Sequence, residues 1–317
     1  MNTKPDLLAV ARLPPFLLEP LARSFTVHGP FGADDAGLDA VAPRIRAVCG
    51  SGDSKVGASL IDRLPALEIV SIMGVGYDGV DIAACKARGV MVGHTPDVLN
   101  DDVADLAIAL ALSVARRIPQ ADRYVRDGRW AAQGPAPLAT KLSGARMGIV
   151  GMGRIGQAIA ERARAFGMDI AYTARSAKPN LPYAFHDQVV GLAAFADFLV
   201  VITPGGAATR KLIDAKVLDA LGPEGYLVNV SRGSVVDEAA LIEALQQRRI
   251  AGAALDVFEN EPNVPEALRA LDNVVLTPHI GSATRATRQA MADRALANLQ
   301  AHFAGRPLPS PVPECRS

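Results

Sequence analysis

The chain has 317 residues, half of them apolar and 21% charged, with 33 basic residues balanced by 33 acidic ones. That is the composition of a globular protein with enough length for two domains, each with its own core. Balanced charge without a local Lys/Arg cluster excludes nucleic acid or an anionic membrane as the main partner.

The N-terminal stretch carries no signal-peptide pattern, because Pro5, Asp6 and Pro14-Pro15 interrupt it. Short apolar runs then alternate with helical segments, the pattern of parallel α/β layers. Strands are predicted over 7–11, 25–27, 47–49, 69–73 and 90–92, and a helix over 81–88. A longer helix is predicted over 100–117, with Asn100 or Asp101 as N-cap and acids in its first turn. It is apolar on most of its circumference, which suits a domain connector or a subunit interface. Its longest uncharged apolar run, 106–115, is too short to span a bilayer. After Pro135-Ala136-Pro137, six strands are predicted over 146–150, 169–172, 198–202, 226–230, 252–256 and 274–276. Six strands with helices between them match a doubly wound, Rossmann-type dinucleotide domain. A last helix over 284–303 leads into a Pro-rich tail. Cys49, Cys85 and Cys315 are scattered without metal-ligand spacing, so a reduced, cytoplasmic protein with no metal is expected.

The segment Val150-Gly151-Met152-Gly153-Arg154-Ile155-Gly156 lies between an apolar strand and a helical run. That context turns a weak glycine pattern into a dinucleotide site: a tight turn, close backbone approach to the pyrophosphate, and close helix–strand packing. NAD-binding sheets usually carry an acid about 20 residues on, at the end of the second strand. Here residues 170–178 contain no carboxylate, while Arg175, Ser176 and Lys178 can donate to a phosphate. NADPH is therefore expected over NADH.

Three candidates for chemistry follow strands of the second unit, at the edge where open α/β sheets bind ligands. They are Arg232, Glu261 and His279. Singly, an Arg there reads as a surface charge, a Glu before Pro as a helix start, and a His as a structural group. His28, His94, His186 and His302 read in that last way. Together the three supply what reduction of a 2-oxo acid requires. Arg232 offers a bidentate partner for the carboxylate, His279 a proton for the developing alkoxide, and Glu261 a charge that favours imidazolium. In the first unit, Met73-Gly74-Val75-Gly76-Tyr77-Asp78 follows a strand, and the Val75 and Gly76 N–H groups suit a substrate carboxylate. The same pattern also fits a purely structural turn.

These segments, with Val230-Ser231-Arg232-Gly233, Leu255 to Pro262 and Thr277-Pro278-His279-Ile280-Gly281, run in the order of the D-2-hydroxyacid dehydrogenase family, which the chain resembles over nearly its whole length. Arg175-Ser176 and the Ala253 to Asp256 context look most like the NADPH-dependent glyoxylate/hydroxypyruvate reductases and the related hydroxyphenylpyruvate reductases. The resemblance implies a discontinuous flavodoxin-like substrate domain (residues 1–98 and 285–317) beside a Rossmann cofactor domain (99–284). It also implies homodimers joined through the cofactor domains, and Arg232, Glu261 and His279 as the catalytic set. Cofactor contacts are implied for Gly151, Gly153, Arg154, Ile155, Gly156, Arg175, Ser176, Lys178, Thr203, Pro204, Thr209, Val230, Ser231, Arg232, Asp256, His279 and Gly281. Substrate contacts are implied for Val75, Gly76, Arg232 and Trp130. Trp130 matches a residue that reaches the partner's active site in similar enzymes, and equally fits an interface or core anchor. The expected reaction is reduction of glyoxylate or hydroxypyruvate to a D-2-hydroxy acid, with an aryl-pyruvate as the alternative substrate. A nucleotide-sensing scaffold of the corepressor type is the alternative in another class, and the intact Arg232, Glu261 and His279 weigh against it.

Overall fold

Strands buried on both faces read as continuous apolar runs, and this chain has two sets of them. The computed structural model describes residues 4–31 and 36–315. It divides into two compact units, one of Met1–Leu99 with Thr284–Ser317 and one of Asn100–Ala283.

The first unit opens β1 (Asp6–Ala9), α1 (Pro15–Ser24), β2 (Thr26–His28), α2 (Ala36–Val41), β3 (Ile45–Ser51), α3 (Ala58–Arg63), β4 (Ile69–Met73), α4 (Ile82–Ala87) and β5 (Met91–Gly93). Pro15 sits in the first turn of α1, where its missing N–H leaves no bond unmade. Asp81 caps α4 by accepting from the Ala84 N–H at 2.9 Å. The five strands are parallel in the order β2-β1-β3-β4-β5, the flavodoxin-like arrangement. Every residue of β4 is buried. Cys49 on β3 and Cys85 on α4 lie inside, and burial pushes their thiols up to about 12 and about 11, away from thiolate chemistry.

The second unit contains α5 (Asn100–Ala115), α6 (Ile118–Arg126), α7 (Arg129–Gln133), β6 (Arg146–Val150), α8 (Arg154–Ala165), β7 (Asp169–Thr173), β8 (Ala184–Phe185), α9 (Val189–Phe195), β9 (Phe198–Val201), α10 (Ala215–Leu221), β10 (Tyr226–Asn229), α11 (Glu238–Gln246), β11 (Gly252–Leu255), α12 (Glu266–Arg269) and β12 (Val274–Leu276). Its parallel strands run β12-β11-β10-β9-β6-β7-β8, so the direction of winding reverses between β6 and β9. A ligand crevice in such a sheet lies beyond the carboxyl ends at that switch point. The sequence predicts six strands and the structure has seven, because β8 is two exposed residues with no apolar run to announce it. The helix after the glycine turn begins at Arg154, directly after Gly153.

The apolar circumference of α5 has a local explanation. The helix packs on α8 and on β10, β11 and β12 of its own unit, and Val103, Ala107, Leu110, Ala111 and Val114 are buried there. It already includes Asn100 and Asp101, the residues expected to cap it. Asp101 and Asp105 on its outer side both pair with Arg162 of α8. Finally α13 (Arg285–Phe303) rejoins the first unit against β4 and α1, capped by Thr284 and tied by the bond from Ser71 Oγ to Ala295 O at 3.0 Å. Among the described residues, no helix is long and apolar enough to cross a membrane.

Candidate active site

The glycine turn has a separate physical reason at each position. Gly151 adopts φ +105, a conformation that side chains rarely accept, and a Cβ there would lie 2.8 Å from Ile202 O. A Cβ on Gly156 would lie 2.1 Å from Gly151 O, so α8 sits against β6 only because that residue has no side chain. Gly153 precedes the first turn of α8, and a Cβ there would meet nothing within 4 Å. The space beside that helix N-terminus is open to an incoming group, which fits a bound dinucleotide pyrophosphate.

Arg175, Ser176 and Lys178 follow β7 as exposed side chains, in a loop without an acid. The loop is anchored from beneath, where the Lys178 N–H donates to the Tyr172 hydroxyl at 2.6 Å. Sequence reading did not single out Tyr172, although a tyrosine on an apolar strand needs a partner for its hydroxyl. After β9, Thr203-Pro204 leads to Thr209, whose hydroxyl donates to Pro204 O at 2.7 Å and closes that loop.

Beyond β10, β11 and β12 stand the three charged candidates. His279 Nδ1 lies 2.7 Å from Glu261 Oε2, and Glu261 Oε1 accepts from the Phe258 N–H at 2.9 Å. Burial alone would raise the Glu261 carboxyl. The bonds from His279 and Phe258, with the charges of His279 and Arg232, instead hold it below the usual carboxylate range. Arg232 is thus close enough for its charge to act on Glu261.

Several residues that sequence reasoning left without this role position the three. Asn229, 1% exposed at the end of β10, accepts from Ser231 N–H and hydroxyl and donates to Arg232 O. Asp256, implied as a cofactor contact, uses both carboxylate oxygens on protein donors. It accepts from Thr277 Oγ1 at 2.6 Å, Ile280 N–H at 2.8 Å and Gly281 N–H at 2.8 Å. Those bonds hold His279 at φ +52, a left-handed conformation that costs a non-glycine residue on the order of 1–3 kcal/mol. The available signal was a pair of polar residues ending apolar strands, since buried polar groups need partners. Gly233 is forced by contact, because a Cβ there would lie 1.9 Å from the Phe258 carbonyl carbon.

Beside His279 and Glu261 lies a cavity of about 260 Å³, mostly apolar, with Phe258, Pro262, Val264 and Leu276 in its wall. In the first unit, Gly74 to Tyr77 form a loop after β4, with the Gly74 carbonyl bonded by the Thr95 N–H. Trp130 lies on α7 and is 61% exposed.

A dinucleotide turn, a strand-end Arg and a Glu–His pair on one sheet edge define a nicotinamide-dependent oxidoreductase. Residues 108–281 match the family model described as "D-isomer specific 2-hydroxyacid dehydrogenase, NAD binding domain". The chain is 54% identical over 271 residues to hydroxyphenylpyruvate reductase of Plectranthus scutellarioides, covering 86% of each chain. It is 53% identical over 268 residues to glyoxylate/hydroxypyruvate reductase A of Arabidopsis thaliana, covering 84% of this chain and 85% of that one. Among solved structures, the NADPH-dependent glyoxylate/hydroxypyruvate reductase of Sinorhizobium meliloti, in complex with NADP and malonate, superposes with a TM-score of 0.93 at 46% identity, over 99% of this chain and 98% of that one. The chain belongs to the D-isomer-specific 2-hydroxyacid dehydrogenase family.

Proposed function

We propose that the protein reduces small 2-oxo acids, glyoxylate and hydroxypyruvate first among them, to D-2-hydroxy acids with NADPH. The observation that carries this reading is the His279–Glu261 pair at 2.7 Å under the charge of Arg232. Arg232 offers a guanidinium fork suited to a substrate carboxylate, and Val75 and Gly76 offer backbone N–H groups that suit a substrate carboxylate. With Nδ1 committed to Glu261, Nε2 of His279 is the nitrogen that donates a proton to the carbonyl oxygen. Glu261 keeps the ring oriented and favours its protonated form. When bound, a reduced nicotinamide supplies the hydride. The preference for NADPH is supported by Arg175, Ser176 and Lys178 after β7 and by the NADPH-dependent enzyme the chain resembles.

A second reading, an aryl-pyruvate reductase, is favoured by the apolar cavity beside His279 and by the resemblance to hydroxyphenylpyruvate reductase. Assembly as a homodimer through the cofactor unit is supported by exposed apolar residues between 118 and 138, namely Ile118, Val125, Trp130 and Leu138. An indole at position 130 would then be available to a partner's site.

A panel of 2-oxo acids run with NADPH and NADH tests these readings together. Highest kcat/KM for hydroxypyruvate or glyoxylate with NADPH supports the first, and a higher value for hydroxyphenylpyruvate the second. Tight NADPH binding without turnover on any 2-oxo acid would refute both and leave a nucleotide-sensing scaffold. Sedimentation of wild type and Trp130→Ala reports the assembly.

A further inference from the structure

We infer that His94 is a positioning residue that aims the Gly76 N–H at the substrate carboxylate, an inference that rests on the carboxylate-binding role proposed for Val75 and Gly76. A trans peptide is planar, so the carbonyl of one residue and the N–H of the next point in opposite directions. In the loop after β4, two successive carbonyls are pinned to the segment that follows β5. The Gly74 carbonyl accepts from the Thr95 N–H at 2.8 Å, and the Val75 carbonyl accepts from His94 Nδ1 at 3.0 Å. The first bond therefore turns the Val75 N–H away from residues 94–95, and the second turns the Gly76 N–H away. No acceptor for either N–H is found among the described residues. A carbonyl cannot donate, so Nδ1 of His94 carries the proton.

The imidazole can aim a peptide plane only if it is itself held, and the end of the chain holds it. The His94 N–H donates to Ser310 O at 3.1 Å. The His94 carbonyl accepts from Ser310 Oγ at 2.6 Å and from Asn298 Nδ2 at 3.2 Å. Asn298, on α13, also accepts from the Ser310 N–H at 3.0 Å, so the tail is locked to the helix. Tyr77 packs edge-on against the ring, with centroids 5.2 Å apart at 86°. All three polar residues are buried, and a Cβ on neighbouring Gly93 would lie 2.8 Å from Asn298 Nδ2. A buried histidine that reads as merely structural thus decides where an amide proton points. The C-terminal tail supplies its seat.

The test uses full-length enzyme with NADPH and hydroxypyruvate. His94→Ala is expected to raise KM for hydroxypyruvate about tenfold, the scale of one charge-assisted hydrogen bond, with kcat within about twofold and NADPH affinity unchanged. His94→Asn keeps an N–H near the place of Nδ1 and should bring KM back to within about threefold of wild type. His94→Gln fills the same space with its amide displaced and should behave like His94→Ala, which separates the hydrogen bond from packing. Equal KM in all three variants and wild type would overturn the inference, as would equal impairment of Asn and Gln. Val75→Pro removes one of the two amides outright. If it raises KM while His94→Ala does not, only the role of His94 falls. If Val75→Pro also leaves KM unchanged, the loop does not bind the carboxylate and both readings fall.

Discussion

Replacing Glu261 by Gln removes one negative charge and keeps the shape of the side chain. In the structure the carboxylate lies 2.7 Å from His279 Nδ1, and the two side chains are 27% and 31% exposed. Unit charges about 4 Å apart attract by about 1 kcal/mol in water and by about 4 kcal/mol at the effective dielectric of a protein surface. Partial exposure places this pair between those limits, at about 2 kcal/mol, or about thirtyfold in favour of the imidazolium. The hydrogen bonds reinforce that sign. The Phe258 N–H fixes an oxygen at Oε1, so the Gln amide nitrogen takes the place of Oε2 and points a donor at Nδ1. Two donors cannot share the contact, and the ring has to give up its Nδ1 proton. Reduction uses the protonated ring, so the alkaline limb of its kcat/KM should move to lower pH, with up to about thirtyfold lost at pH values above the wild-type limb. Oxidation of the D-hydroxy acid needs Nε2 free to take a proton, and a neutral ring that accepts at Nδ1 carries its proton on Nε2, so oxidation should be impaired as well. Steady-state kcat/KM in both directions across the pH range reads this directly. An alkaline limb that stays in place for reduction would refute the argument and leave Glu261 a purely structural residue.

His279→Ala should lower kcat by about 10²–10⁴, the usual contribution of a positioned proton donor, while NADPH affinity by fluorescence titration stays the same. Near-normal turnover would remove the residue from the chemistry. Arg175→Ala should lower the NADPH to NADH ratio of kcat/KM by about 10–100-fold, because a charge-assisted contact to the 2′-phosphate is lost. An unchanged ratio would place the discrimination elsewhere. In Gly156→Ala the new methyl would lie 2.1 Å from Gly151 O, so α8 must move off β6. The cost should be about 1–3 kcal/mol, read as a lower Tm with weaker cofactor binding, and wild-type behaviour on both would show that the close approach is dispensable.

Much of this molecule was legible in the order of its residues, because the signals were local. Strands β6 and β12 fall where their apolar runs predict, since burial on both faces leaves no polar alternation to blur them. The glycine turn was readable from a strand before it and a helix after it, and the strand-end Arg, Glu and His from their places on one sheet edge. β8 was not, because two exposed residues carry no periodicity. Nor was the partner of α5, since an apolar circumference states that a helix is covered and not by what. The roles of Asn229, Asp256, Tyr172 and His94 were equally hidden. Each acts through a hydrogen bond to backbone brought close by the sheet, and a donor–acceptor direction is a property of folded geometry alone. Residue order therefore determined which chemical groups the protein holds and which strand ends carry them. Tertiary structure decided which protons and carbonyls face one another, because a hydrogen bond between segments far apart in the chain forms or fails within a few tenths of an ångström.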